Sequence, residues 1–365
     1  MRYQAGGLAV TGGLDQPGGR RKVAESAAGR APTKTGERVD TRTSDFDFKG
    51  SGQWAVILGG SSGFGLASAK RLARAGLHIV IGHKDRESAA ATELHPHFDE
   101  IRAQGVELVT HNGNLFEDEE RGALLEKIES RAGPGRVHLF LHSIAAGSCR
   151  VISDDPDVDR RGKALEALAQ ALTEAGAAVT PELLRRAVNV AFHDRGCDHL
   201  YTLADTRIPA GADSLTEEDL ARTIAMMGYD YLLWGRELHA RGLLTPTARL
   251  VALTSEGNAV AWRGYAAVSA AKATLESVCR SMALELAPSG VRSYLVQAGI
   301  TDTPAGAAIP GFDLMKARAR LRNPFRRLTR PEDVANAIYA LCLPMFDWAN
   351  GTVIRVDGGE AISGA

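Results

Sequence analysis

The chain has 365 residues, 44% of them apolar, with 43 basic against 44 acidic side chains. Such a length and apolar share suit one large domain with a full core, and a net charge of −1 with mixed signs offers no sustained positive field, which argues against a nucleic-acid partner. Cys149, Cys197, Cys279 and Cys342 form no CxxC pair, no apolar run reaches the roughly 20 residues of a membrane span, and no apolar stretch follows the first basic residues as in a signal peptide, so a cytoplasmic protein is expected.

Residues 1–49 are rich in Gly, Arg, Thr and Ala without a hydrophobic period, a composition that does not offset the entropy of ordering. A disordered tail is expected there, and a folded domain over 50–365. From Gln53 onward, apolar runs of strand length alternate with amphipathic helical stretches: WAVILGG, HIVIGH, VELVTHNGN, VHLFLHSIA, ARLVALTS, VRSYLVQAG and TVIRVDGG. This alternation predicts an α/β fold, a doubly wound parallel sheet of the Rossmann type with about seven strands and helices on both faces.

The first strand runs into LGGSSGFG and then at once into the helical pattern LASAKRLARAG. Gly59, Gly63 and Gly65 let the backbone turn tightly and approach a pyrophosphate, and the helix N-terminus presents free N–H groups to it. Ser61, Ser62 and Phe64 complete the expected cradle. After the second strand, where an acid for the ribose 2′-hydroxyl of NAD is expected, the chain reads Gly82, His83, Lys84, Asp85, Arg86. His83 and Lys84, with Arg86, pair a 2′-phosphate in this reading, so NADPH is favoured over NADH. Asn114 and Leu115 end the third strand, within reach of an adenine or in an ordinary Asn turn.

Between the fourth and fifth strands the chain is longer than one crossover helix needs. The segment 149–211 is read as an inserted helical hairpin: Leu165, Leu168 and Leu172 share one face, and Thr180 caps a second helix that opens with Pro181. His193, Asp194, Cys197, Asp198 and His199 crowd its end, but without the paired spacing of a structural zinc site, and a polar loop is expected with no metal. Met226, Met227, Tyr229, Tyr231, Leu232 and Trp234 lie on a following helix, where core or subunit contact is the expected use.

The strand ARLVALTS then leads into RGYAAVSAAKATLESVC. Ser255 precedes Lys272 by seventeen positions and Tyr265 precedes it by seven, whereas Val268 stands four before it. On these residues the chain resembles the short-chain dehydrogenase/reductase family, and its YxxxxxxK spacing, together with LHSIAAG at Leu141–Gly147, resembles the enoyl-acyl carrier protein reductases. Ser255 is similar to the NADPH-using branch. The resemblance covers about 53–149 and 214 to the end. Departures are Met227 near the usual helix Asn, Leu58 in place of a Thr, and the segment 149–211.

On a helix, positions four and seven before Lys272 lie on nearly one face, about 4.5 Å apart along the axis. The displaced phenol suits conjugate reduction, where the thioester oxygen lies two carbons beyond the hydride-accepting carbon. The resemblance implies hydride delivery to an enoyl thioester on acyl carrier protein or coenzyme A, in fatty acid or polyketide biosynthesis. In it Tyr265 stabilises the enolate, Ser255 supports the carbonyl, and Lys272 orients the cofactor and favours the phenolate of Tyr265. Ser143, Ile144, Ala145, Gly299, Ile300, Thr301 and Thr303 would line the dinucleotide, and a homotetramer or dimer is implied. A ketoreductase or alcohol dehydrogenase, and a cofactor-binding protein without turnover, are the alternatives.

Overall fold

A computed structural model describes residues 47–86, 90–153, 160–205 and 214–364. All but the last few residues of the expected tail, and parts of the 149–211 segment, lie outside them. Seven strands, β1 Trp54–Leu58, β2 His78–His83, β3 Leu108–Asn112, β4 Val137–His142, β5 Leu244–Thr254, β6 Arg292–Ala298 and β7 Thr352–Val356, form one sheet in the order β3-β2-β1-β4-β5-β6-β7. Every neighbouring pair is parallel. β1 and β4 are buried along their whole length, which is why WAVIL and VHLFLH read as apolar runs rather than as alternations.

Alternate residues of each strand feed two cores. On one face Val56, Leu58, Val80, Phe140 and Leu250 pack under three helices, α3 Asp118–Ala132, α7 Asp230–Ala240 and α8 Ala266–Glu285, which contribute Leu124, Tyr231, Trp234, Leu275 and Met282. On the other, Ala55, Ile57, Ile79, Ile81 and Leu141 meet α1 Gly63–Arg74, α2 His95–Arg102 and α11 Pro331–Leu341 through Leu72, Ile101, Val334 and Ile338. Tyr231 and Trp234 are fully buried and stack on Phe140, so part of the Met226–Trp234 stretch is core.

Between β4 and β5 lie α4 Arg160–Glu174, α5 Pro181–Asn189 and α6 Glu217–Ile224. Thr180 accepts the Leu183 N–H at 3.2 Å and Pro181 opens α5. On α4 the buried residues are Leu165 and Ala169, four apart as a helix stripe requires; Leu168, expected on the same face, is exposed. Leu165, Val188, Phe192 and Ala204 form a separate small core with Ala317 of α10 Phe312–Arg322. The Asp198 carboxylate accepts from Nε and Nη2 of Arg320 on α10 at 2.7 and 2.5 Å, and His193 meets the Asp205 carbonyl, so two of the five crowded residues have these roles.

Candidate active site

The strand order reverses between β1 and β4, and the space outside the C-terminal ends of the strands at such a reversal is where a doubly wound sheet has its ligand crevice. Gly59 has φ +76°, and a Cβ there would stand 2.6 Å from the Ser143 carbonyl oxygen. Ser143 in turn donates its N–H to Leu58 at 2.9 Å, so the loops after β1 and β4 are locked backbone to backbone. A Cβ on Gly65 would enter the Gly59 carbonyl, and one on Gly63 would touch Thr303 at 3.5 Å. Ser62, the residue before α1, makes no side-chain cap, which leaves the first-turn N–H groups for an anion. These features fit a dinucleotide pyrophosphate. Ser61 and Phe64 flank the turn, with Phe64 packed against the core. Ile144 and Ala145 follow Ser143 along the same crevice, with Ile144 against the opposite core.

His142 of β4, at the head of the HSI segment, turns inward instead. Its Nε2 lies 3.1 Å from Asp230 Oδ2, and Arg121 Nη2 stands 3.6 Å from Asp230 Oδ1. This buried trio ties β4 to α3 and α7. Asn114 donates to Glu117 Oε1 at 2.6 Å, and the Leu115 side chain belongs to the core, so what Leu115 presents to a ligand is backbone.

The turn after β2 differs from the phosphate site expected of it. His83 is buried, and its Nδ1 meets Asp85 Oδ2 at 2.8 Å. Asp85 is pinned further by Asn112, which accepts its N–H at 2.9 Å and donates to its carbonyl at 3.0 Å. Lys84 and Arg86 are exposed.

Tyr265 is the residue before α8, with φ −111° and ψ 7°; the phenol therefore leaves from the helix edge and not from a helical turn, as the spacing argument had it. It is half-buried against a small cluster of Met227, Val268 and Ala271, on which Cys149, Ile224 and Met226 also pack. A Cβ on Gly257 would drive into the Tyr265 ring and lie 3.4 Å from Ser255 Oγ, so Gly257 is what lets the two hydroxyl-bearing residues share this space. Burial pushes the Tyr265 phenol up, and the Ser255 hydroxyl pulls it partly back. Lys272 is not among the groups that move it, against the expectation that Lys272 favours the phenolate. Lys272 is buried, donates to the Leu253 carbonyl of β5 at 2.7 Å, and has its pKa lowered by burial to about 8. Ser255 Oγ is buried with no hydrogen-bond partner among the described residues.

After β6, Thr301 turns its hydroxyl back onto the Gly299 carbonyl at 2.9 Å, and Thr303 caps the short helix α9 Pro304–Ala307 by accepting the Gly306 N–H at 3.1 Å. The Ile300 N–H faces the Glu360 carboxylate at 3.3 Å. Arg322, at the end of α10, donates from Nη2 to both oxygens of Glu256 at 2.8 and 2.6 Å and reaches Glu360 Oε1 at 3.4 Å. Sequence reasoning missed Glu256, Arg322 and Glu360, because they come from three distant segments and no local spacing marks them.

Two family models match the chain: short chain dehydrogenase over residues 53–188 and enoyl-(acyl carrier protein) reductase over 199–360. The enoyl-[acyl-carrier-protein] reductase [NADH] of Pseudomonas putida (strain W619) is 28% identical over 276 residues, which are 71% of this chain and 60% of that protein. The NADH enzyme of the same name from Escherichia coli (strain K12) is 36% identical over 123 residues, 34% of this chain and 47% of its own length. The matches thus span about half to three fifths of these curated relatives. Among solved structures, the enoyl-[acyl-carrier-protein] reductase (NADH) of Aquifex aeolicus VF5 superposes with a TM-score of 0.61 at 20% identity, covering 87% of this chain and 99% of that one. A short chain dehydrogenase from Burkholderia cenocepacia J2315, solved with NADP, gives 0.60 at 19% identity over 87% and 99%. At such identity these two likenesses concern the fold.

The expectation of NADPH is corrected by the curated relatives, which are named for NADH. The turn after β2 supplies the physical reason. His83 is spent on Asp85, and a carboxylate held there accepts from a ribose hydroxyl but repels a 2′-phosphate.

Proposed function

This chain belongs to the short-chain dehydrogenase/reductase family, and on that premise we propose that it is an NADH-dependent reductase of enoyl thioesters carried on acyl carrier protein or coenzyme A. One observation carries the reading: a buried, unpartnered Ser255 hydroxyl stands beside the Tyr265 ring at the C-terminal end of β5, on the crevice side of the sheet where the glycine loop opens.

Bound NADH would supply the hydride for the β-carbon of the enoyl thioester. Gly59, Gly63 and Gly65 with the N-terminus of α1 would hold its pyrophosphate, Asp85 would accept from its adenosine ribose, and Lys272, whose charge burial makes easy to lose, would serve the other ribose. Ser143, Ile144, Ala145 and the segment Gly299–Thr303 would hold the nicotinamide end. Tyr265 donates its hydroxyl to the thioester oxygen and stabilises negative charge there, with Ser255 as second donor. The neutral phenol favoured by burial is the form that can donate. The cluster that Tyr265 packs on, Met227, Val268 and Ala271 with Ile224 and Met226 against them, is an apolar wall that suits an acyl chain and excludes water.

Steady-state oxidation of NADH with crotonyl thioester, set against acetoacetyl thioester, tests the reading. Turnover with the first and none with the second is expected. The reverse preference would make the protein a ketoreductase, and dinucleotide binding without turnover of either would make it a non-catalytic binder.

A further inference from the structure

Beyond the hydroxyls that meet the substrate, the reaction needs a route by which they regain a proton. On its helix side Tyr265 faces apolar residues, and the thiol there, Cys149, is pushed up by burial. In the other direction Ser255 borders a second, polar space, its Oγ being buried. There a cavity of about 30 Å³ is lined by Ser255, Gln297, Gly299, Ile300, Asp357 and Glu360 among others. That is the space of one water molecule with several polar partners around it.

We propose that Glu360 is the proton-supplying residue of this site, acting through one water in that cavity on Ser255 and through Ser255 on Tyr265. The inference rests on the reductase reading above. After Tyr265 has given its hydroxyl proton to the reduced substrate, the Ser255 O–H bond breaks as the Tyr265 O–H bond forms again. The water protonates Ser255 and takes the proton of the Glu360 carboxyl group, and solvent returns one to Glu360. Only protons move; the electron pair has already come with the hydride.

The surroundings of Glu360 suit this use. It is 2% exposed, and burial first, then Glu256 and Asp357, raise its pKa to about 7, against the lowering influence of Arg322 and the Ile300 N–H. A carboxyl group poised there gives and regains a proton at neutral pH. Arg322 is placed to hold the anion left behind, since its guanidinium already bridges Glu256 and Glu360. Glu256 and Asp357 line the cavity as well, but Glu256 is tied at both oxygens to one guanidinium nitrogen and Asp357 accepts the Gly359 and Ala361 N–H groups, so Glu360 is the acid assigned to the water.

The test compares wild type, Glu360→Gln and Glu360→Asp with crotonyl thioester and NADH from about pH 5 to pH 9. Glu360→Gln keeps the shape of the protonated side chain. It is expected to lower kcat about tenfold, to leave KM and NADH affinity within about twofold, to abolish the break in kcat near pH 7, and to enlarge the solvent deuterium isotope effect; Glu360→Asp should recover part of kcat. An unchanged kcat and pH break, or a parallel loss of NADH affinity, overturns the proposal. A second readout needs neither NADH nor turnover. The infrared difference between wild type and Glu360→Gln should show a protonated carboxyl band that titrates near pH 7 and shifts in Ser255→Ala. No such band, or one indifferent to Ser255→Ala, overturns the proposal, whereas silence of the wild type toward crotonyl thioester with the band intact counts against the reductase reading alone.

Discussion

A lysine that loses its proton near pH 8 changes what holding it costs. Lys272 is depressed from 10.5 to about 8 by burial, so between those values the unfolded chain binds more protons than the folded one, and stability rises with pH across that window. Denaturant titrations of the protein without dinucleotide at about pH 8 and pH 10 should show this rise, and Lys272→Met should remove it. Glu360 has the opposite sign. Its folded pKa of about 7 lies above the ordinary 4.5, so stability falls as pH climbs from 4.5 to about 7 and is flat beyond; Glu360→Gln should level that slope. In the proposed reaction the Tyr265 phenol is the donor, while its ring is the packing group. Tyr265→Phe keeps the ring over Gly257 and is expected to cut kcat by about 10²–10⁴-fold with a nearly unchanged Tm. A Tyr265→Phe enzyme with full kcat would remove Tyr265 from the chemistry.

At the level of elements, helix and strand positions were the legible part. β1 and β4 announce themselves as unbroken apolar runs because both faces of each are covered, and the Thr180-Pro181 start of α5 is a local signal that tertiary structure has no reason to override. Other features were not legible for equally local reasons. Periodicity marks which residues share a helix face but not where the helix begins, so Tyr265 was placed on a helix that it only introduces. The stripe on α4 was read from its leucines, whereas Leu165 alone of them belongs to the small core and the other buried side chain of the helix is Ala169. Nor does any pattern foretell that the turn Asp198–Leu200 beyond α5 meets α10. The Asp198–Arg320 pair is partly exposed, with side-chain exposures of 18% and 35%, so its two charge-assisted bonds are discounted to about 1 kcal/mol. Asp198→Asn should accordingly loosen α10 locally: amide exchange over 312–322 is expected to quicken severalfold while the global Tm moves by only a few degrees. Unchanged exchange there would mean that Ala317 and its apolar neighbours hold the helix without the ion pair.

Over the whole molecule, the sheet order and the position of the crevice follow from the alternation of strands and helices, because a right-handed βαβ chain that reverses direction once has few alternatives. What alternation does not encode is which side chains from separate crossovers meet there. The turn after β2 was misread as a 2′-phosphate site because Lys84 and His83 stand beside Asp85 in the sequence, and only the fold reveals that His83 turns inward to hold the acid. The cluster of Glu256, Arg322 and Glu360 joins three segments far apart in the chain and is likewise invisible to spacing. Gly59 is where this topology becomes testable. Its φ of +76° disfavours any L side chain, at about 1–2 kcal/mol, and a Cβ would also press the Ser143 carbonyl, which belongs to the loop on the far side of the crevice. Since Ser143 is fixed by its own hydrogen bond to Leu58, neither loop can yield alone. Gly59→Ala is therefore expected to destabilise the protein by about 2–3 kcal/mol and, at temperatures where it remains folded, to weaken NADH binding at least tenfold by parting the loops that would hold the pyrophosphate. If NADH affinity survives in a folded Gly59→Ala protein, the dinucleotide is held somewhere other than the junction of β1 and β4.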